Sequence, residues 1–358
     1  MPITQSLSIL TMIPINTALC SFGMSGKVFH APFLEVHTGF RLYGAWERSK
    51  KEVQKYYPHV LSYDRYEDLL SDPAVELVIV NTPNYTHYEY AKMALLAGKH
   101  VIVEKPFTVT SAEGEELIAL AASQQLMLSV YHNRRYDSDY RTIKKILDEG
   151  WLGNMVEAEF HYDRFKEELS PKIHKEVPGP GTGALYDLGS HLIDQALQLF
   201  GAPQALFADI TIMRPVSQVD DYFELLLYYP SFRVRLKSSY QVREALPGYV
   251  LHGSKGSFIK PKTDVQEGML QSGALPNIPN WGTEPESERG LLHTEKDGEI
   301  IREHVSSLQG NYLDYYEGIY QSLRNNKPAP VSADDGLKVI RIIEAAIESS
   351  REHRVVQL

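Results

Sequence analysis

From Thr17 to about Val130, short β-rich runs ("TALCSF", "FRLYGAW", "ELVIVNT", "HVIVEKP", "LMLSVY") alternate with segments whose apolar residues recur at helical spacing. Strands alternating with helices predict βαβ units and a parallel sheet. After "YHNRRYDSDYRTIKKILDEGWLGN" the texture changes. Strand-like stretches at "MVEAEFHYDRF", "ALFADITIMRP", "DDYFELLLYYP", "FRVRLKSSYQV" and "GYVLHGSKGSFIK" predict a large, open, mostly antiparallel sheet with helices on one face. The expected architecture is therefore α/β in two parts, a nucleotide-type domain over 1–130 and an α+β domain over 131–358. Residues 263–306, rich in Pro, Gly and polar residues, read as a long surface excursion. The chain closes with a helix carrying an apolar stripe through Leu337, Ile340, Ile343, Ala346 and Ile347, placed to pack back on the first domain.

Composition narrows the function classes. The 358 residues exceed the roughly 250–300 at which one core stops growing, which supports two domains. Lys and Arg number 36 against 46 Asp and Glu, so the net charge of -10 offers no basic footprint for nucleic acid or an anionic membrane. A small-molecule partner fits better. No apolar run of about 18 residues predicts a membrane span. The single cysteine, Cys20, excludes an internal disulfide and a multi-cysteine metal cluster, fits a reducing cytoplasm, and reads as a buried apolar filler. The first 11 residues read as a frayed tail with an upstream start before Met12.

At the first strand-to-helix turn stands "SFGMSG", Ser21 to Gly26. A dinucleotide-binding turn uses three glycines: one for the tight turn, one for approach of the pyrophosphate to the backbone, one for helix packing. Here Gly23 and Gly26 hold the second and third places and Ser21 the first, with Phe22, Met24 and Ser25 completing the loop. After the next strand comes Glu47, where a carboxylate would bond the adenosine ribose of NAD. Arg48, Ser49 and Lys50 follow, groups suited to the 2′-phosphate of NADP. Both cofactors stay open, and Arg48 tilts the reading towards NADP.

Two further strand ends carry chemistry. Thr82-Pro83-Asn84 and Glu104-Lys105-Pro106 lie at carboxyl ends of strands, where ligands of open α/β sheets bind. Pro106 holds Lys105 extended, its peptide isomer left open, and its ammonium can steady an alkoxide or carbonyl oxygen. In "GTGALYDLGSHLIDQALQLFG" a helix is expected to start near Asp187, with Asp187 and His191 four residues apart on one face. A carboxylate beside an imidazole orients it and raises its basicity, as a general base requires. Asp194 lies a turn further on. Without cysteine or a second histidine motif this set argues against a metal.

The modified glycine loop, "EKP" and Asp-x-x-x-His, in that order, resemble the Gfo/Idh/MocA oxidoreductases over nearly the whole chain. "YHNRRYDSD", "WGTEP" and "VIRIIEAAIESS" add likeness to the branch with NADP-dependent scyllo-inositol dehydrogenases. The resemblance implies a Rossmann domain, a C-terminal open sheet that makes homodimers or homotetramers, and a polyol or sugar substrate. It implies Lys105, Asp187 and His191 as catalytic residues, with Asn133, Arg134 and Tyr136 near nicotinamide or substrate, and Asn84 and His87 in a loop over the cofactor. The expected activity is NAD(P)-dependent interconversion of a secondary alcohol and a ketone on an inositol or sugar. The alternative is a non-catalytic dinucleotide-binding sensor of sugar metabolism.

Overall fold

The computed structural model describes residues 13–48, 50–170 and 175–358. Six parallel strands, β1 (Ile15–Leu19), β2 (Phe40–Trp46), β3 (Leu61–Tyr63), β4 (Leu77–Val80), β5 (His100–Glu104) and β6 (Leu128–Tyr131), form a sheet in the order β3-β2-β1-β4-β5-β6. Helices cover both faces, so the central strands are apolar on both sides: Leu77, Val78, Ile79 and Val80 are all fully buried. The order reverses between β1 and β4, which opens a crevice at the carboxyl ends of these two strands. This is a Rossmann-type domain. The three-residue β3 lies at the sheet edge and is too short for its alternation to register in the sequence.

The second sheet has nine strands: β7 (Met155–His161), β8 (Ala205–Thr211), β9 (Tyr222–Tyr228), β10 (Arg233–Ser239), β11 (Tyr249–Gly253), β12 (Gly256–Lys260), β13 (Gly290–Lys296), β14 (Glu299–Val305) and β15 (Val356–Gln357). Their order is β14-β13-β12-β11-β7-β10-β9-β8-β15, and every pair is antiparallel except β7 with β10. Along β9 buried Phe223, Leu225 and Leu227 alternate with half-buried Tyr222, Glu224, Leu226 and Tyr228, so one face packs on helices.

The excursion expected over 263–306 is corrected. Val265–Gln271 is a helix, and β13 and β14 form a hairpin that extends the sheet. The turn uses Asp297 and Gly298, both left-handed at φ 54° and 82°, the pair of conformations that two-residue hairpins favour. The Asp-Gly pair was the overlooked signal, hidden because β14 is largely exposed and polar. Trp281 is buried against Phe33 and donates to Gln266 at 3.0 Å, which anchors the intervening loop.

The helix Ala333–Glu352 starts at Ser332, whose hydroxyl accepts the Asp335 N–H. Its stripe of Leu337, Ile340, Ile343 and Ala346 is buried, while Ile347 stays partly exposed. It lies against the helix Ser111–Ser123, with Arg341 paired to Glu115 at 2.9 Å and Glu344 accepting the Ser111 N–H at 2.8 Å. Among the described residues no helix is long and apolar enough to cross a membrane.

Candidate active site

The turn after β1 meets its requirements without the first glycine. Ser21 donates its N–H to Asn81 Oδ1 (2.9 Å) and its hydroxyl to Asn81 O (3.1 Å), and its carbonyl accepts from Asn81 Nδ2 (2.9 Å). Asn81 was missed in the sequence although it directly precedes Thr82-Pro83-Asn84. Ser21 does not adopt a left-handed φ, so a side chain is tolerated. Gly26 is different: a Cβ there would stand 2.6 Å from Ser21 O and 3.1 Å from Asn81 Nδ2. Gly23 faces open space, with only Ser21 Oγ within 4 Å of a built Cβ, which leaves the backbone approachable by phosphate. Overpacking costs roughly 1–3 kcal/mol, so a Gly26→Ala chain is expected to show a lowered midpoint in urea unfolding.

Two adjoining cavities share Ser21, Gly23, Thr82 and Pro83 in their linings. The smaller, ≈ 250 Å³, adds Trp46, Glu47, Arg48, Lys50, Tyr85 and Tyr90, together with Cys20 and Phe22. The larger, ≈ 550 Å³, runs from Met24 and Ser25 past Glu104, Lys105 and Asn133 to Asp187 and His191. Two lobes meeting at a glycine turn match the two nucleoside halves of a dinucleotide, so the residues present fit that cofactor.

Glu47 lines the smaller cavity and is also engaged by the protein itself. Its carboxylate accepts the N–H of Glu52 (2.7 Å) and of Val53 (3.1 Å) and the Ser62 hydroxyl (3.2 Å). The helix Val53–Tyr56 starts just there, and its free N–H groups are the nearest strong donors to a carboxylate with 6 % exposure. Arg48 is exposed at the cavity rim. Ser49 lies outside the described residues.

In the larger cavity Lys105 follows β5, and its bond to Pro106 is cis. Its ammonium donates to Asp187 Oδ1 (2.9 Å) and to the Asp187 carbonyl (2.7 Å), while Lys175 reaches Asp187 Oδ2 (2.8 Å). The expectation that Asp187 orients His191 is corrected: both carboxylate oxygens belong to ammoniums, and His191 Nδ1 is buried without a partner among the described residues. The local backbone is a π turn, Leu185–Gly189, before the α-helix Ser190–Phe200, rather than a helix begun at Asp187. Burial opposes ionisation of Asp187, but Lys105 and Lys175 outweigh it and hold the carboxyl well below the usual range. Burial, then Lys105 and Arg134, push His191 well below its usual value, and burial likewise lowers Lys105. The cavity thus places a neutral imidazole beside an ammonium. Among the described residues no group of acids, histidines and cysteines could hold a metal ion.

The remaining expected residues separate. Glu104 accepts from Ser25 Oγ (2.5 Å) and the Lys105 N–H (3.1 Å) and meets His30 Nε2 (3.1 Å). Burial would raise it, yet the His30 and Ser25 contacts and the nearby Lys105 bring it to about 2. His87 is buried with its ring nitrogens 2.9 Å and 3.0 Å from the carbonyls of Pro106 and Thr82, so it ties the two strand-end turns together. Asn84 donates to the Gly181 carbonyl, joining the first domain to the segment before the π turn. Arg134 reaches the cavity wall, but its guanidinium is held by Asp264, Glu267 and Tyr312. Tyr136 does not line the cavity; it packs edge-on against Tyr315, and its carbonyl accepts from Gln266 and Asn311. Aromatic packing at the domain junction claims it, which corrects its assignment to the substrate. Lys175 carried no sequence signal, since only the fold brings it to Asp187.

Comparison with known proteins is consistent along the chain. The model of the oxidoreductase family's NAD-binding Rossmann fold matches residues 15–132, and that of its C-terminal alpha/beta domain matches residues 144–358. The chain is 40% identical over 344 residues to scyllo-inositol 2-dehydrogenase (NADP(+)) IolW of Bacillus subtilis, covering 96% of each. It is 39% identical over 340 residues to the uncharacterized oxidoreductase YdgJ of Escherichia coli, covering 95% of this chain and 97% of that one. A crystal structure of an oxidoreductase from Bacillus cereus superposes with a TM-score of 0.89 at 30% identity, covering 96% of this chain and 98% of that one.

Proposed function

This chain belongs to the Gfo/Idh/MocA oxidoreductase family, and from that premise we propose that it interconverts a secondary alcohol and a ketone on an inositol or sugar, in the cytoplasm, with NADP as the preferred dinucleotide. The observation that carries the reading is the meeting of Lys105, Asp187 and His191 in one cavity continuous with the glycine turn. A nicotinamide dinucleotide, when bound, supplies the hydride acceptor or donor. His191, neutral and facing the cavity, takes the hydroxyl proton during oxidation and returns it in reduction. The Lys105 ammonium stabilises negative charge growing on the same oxygen, and Asp187 holds that ammonium in place. The residues offered to the dinucleotide are the Phe22–Gly26 loop, Thr82, Pro83, Glu104 and Asn133 around the turn and crevice, with Arg48 and Lys50 at the far cavity. The test is growth of reduced-nicotinamide absorbance with inositols and aldoses. Dinucleotide binding without turnover of any of them would move the chain to a sensor role.

The Glu47 carboxylate, already accepting three hydrogen bonds from the protein, supports NADP over NAD together with Arg48 and Lys50, cations of the far cavity with no carboxylate within ion-pair distance among the described residues. A charge-assisted hydrogen bond contributes roughly 1.5–3 kcal/mol. An Arg48→Ala chain is therefore expected to raise KM for NADP about 10- to 100-fold and to change KM for NAD by less than about threefold. Steady-state kinetics with each cofactor checks this. An equal loss for both cofactors would remove Arg48 from the choice.

We also read the open face of the nine-stranded sheet as the contact between copies in a homodimer or homotetramer. It combines half-buried Phe207, Tyr222, Leu226 and Tyr228 with the Arg235–Glu159 and Arg235–Glu224 ion pairs. Sedimentation equilibrium at micromolar concentration returns a multiple of the chain mass on this reading, and a monomer overturns it.

A further inference from the structure

Beyond β7 the chain stays extended alongside β10 and the residue after it: the N–H groups of Tyr162, Arg164 and Lys166 donate to the carbonyls of Lys237, Ser239 and Tyr240 at 3.0, 2.9 and 2.9 Å. The two-residue pleat places these three side chains on one face, and all three line the larger cavity. Lys175 joins the same wall. Most charges there are matched. Arg214 is held by Asp221 at 2.7 Å and Glu176 at 3.2 Å, and Asp187 is shared between Lys105 and Lys175. Asp220 turns its carboxylate to the Leu185 N–H at 2.8 Å. Arg164 and Lys166 have no carboxylate within ion-pair distance among the described residues; their charged ends lie over the rings of Tyr162 and Tyr240, at 5.2 Å and 5.8 Å. The half-buried Arg164 guanidinium feels Asp187 only from beyond ion-pair distance, so its hydrogen-bonding fork is not taken up by a carboxylate of the described residues and can receive an anion that enters the cavity. Neighbouring groups respond to this surplus: after burial, Arg164 is the next cause lowering Lys166.

We propose that Arg164 and Lys166, with Lys175 at their edge, form a subsite for an oxyanion substituent of the substrate, so that the polyol or sugar oxidised in this cavity carries a carboxylate or a phosphate group. The planar guanidinium fork matches either oxyanion with two parallel hydrogen bonds, and the lysines add charge without demanding orientation. The inference rests on the polyol or sugar reading of the cavity and sharpens it.

The experiment is calorimetric binding to the NADP-loaded protein of two matched pairs: D-galacturonate against D-galactose, and myo-inositol 1-phosphate against myo-inositol. In at least one pair the charged member is expected to bind about tenfold or more tightly, with the preference shrinking as salt screens it. The pair that shows the preference identifies carboxylate or phosphate as the source. In an R164Q/K166Q double variant with wild-type circular dichroism the ratio falls to about one. Neutral members binding as tightly as charged ones in both pairs would overturn the subsite, as would a double variant that keeps the preference. The wild-type comparison and its salt dependence decide the matter even if the double variant does not fold. Because heat rather than turnover is read, a charged preference without hydride transfer from any compound refutes the oxidoreduction reading and leaves the subsite standing. Turnover of both members together with equal binding of charged and neutral compounds in both pairs does the reverse.

Discussion

Replacing Lys105 with alanine is expected to lower kcat by about 10²- to 10³-fold, the usual loss when one donor to a developing oxyanion is removed, while dinucleotide affinity changes little. The ammonium is largely buried, with 16% of its side chain exposed, and it is one of two cations on Asp187. Its removal therefore leaves Asp187 paired with Lys175 at 2.8 Å, and no isolated buried carboxylate results. The fold should survive, so the loss reports on chemistry. A second consequence distinguishes the mechanism from simple disruption. Lys105 is the foremost cation depressing His191, after burial itself, so without it the imidazole becomes easier to protonate. The acid limb of the residual activity should move to higher pH. Stopped-flow and pH-rate measurements on the variant test both; a variant with near wild-type kcat would remove Lys105 from the reaction.

His191→Asn is expected to cost about 10²- to 10⁴-fold in kcat/KM for alcohol oxidation, the range for a positioned general base. The sign of the pH effect follows from the direction of its shift. Burial, Lys105 and Arg134 lower the pKa, so the neutral, proton-accepting form persists well below pH 6.5, the ordinary histidine value. Activity in the wild-type chain is then level through neutrality and falls only as acid drives the pH down through that lowered value. The asparagine variant should lose this limb together with the rate. A wild-type profile whose acid limb sits above 6.5 would contradict this arrangement, in which Lys105 and Arg134 act on the imidazole while the Asp187 oxygens are taken by Lys105 and Lys175.

Much of this molecule was legible in the residues because the relevant signals are short in range. Runs such as "LVIV" and "HVIVE" predicted the parallel strands, since a strand buried on both faces must be apolar throughout. Gly23 and Gly26 predicted the turn, and the strand-end position of Lys105 predicted its place at the crevice, because the carboxyl edge of such a sheet is where ligands bind. The grouping of Asp187 and His191 with it came only from the family resemblance. Hydrogen-bond partners were another matter. Glu47 was expected at a ribose and is held by N–H groups five and six residues along, a capture that depends on where a short helix begins. Asp187 was expected to serve His191, four residues away, and serves Lys105, 82 residues away, and Lys175 instead. Ser21 in the place of a glycine works because Asn81, 60 residues on, grips it at three points. The sequence by itself determined most of the elements, their alternation and the chemical types brought to the site, because periodicity and turn chemistry act over a few residues. The helix Val265–Gln271 and the β13–β14 hairpin escaped it because their exposed, polar faces carry no such pattern. Which charge meets which was decided only when the two sheets packed, because an ion pair depends on a distance of a few ångströms between segments whose separation along the chain carries no information about it.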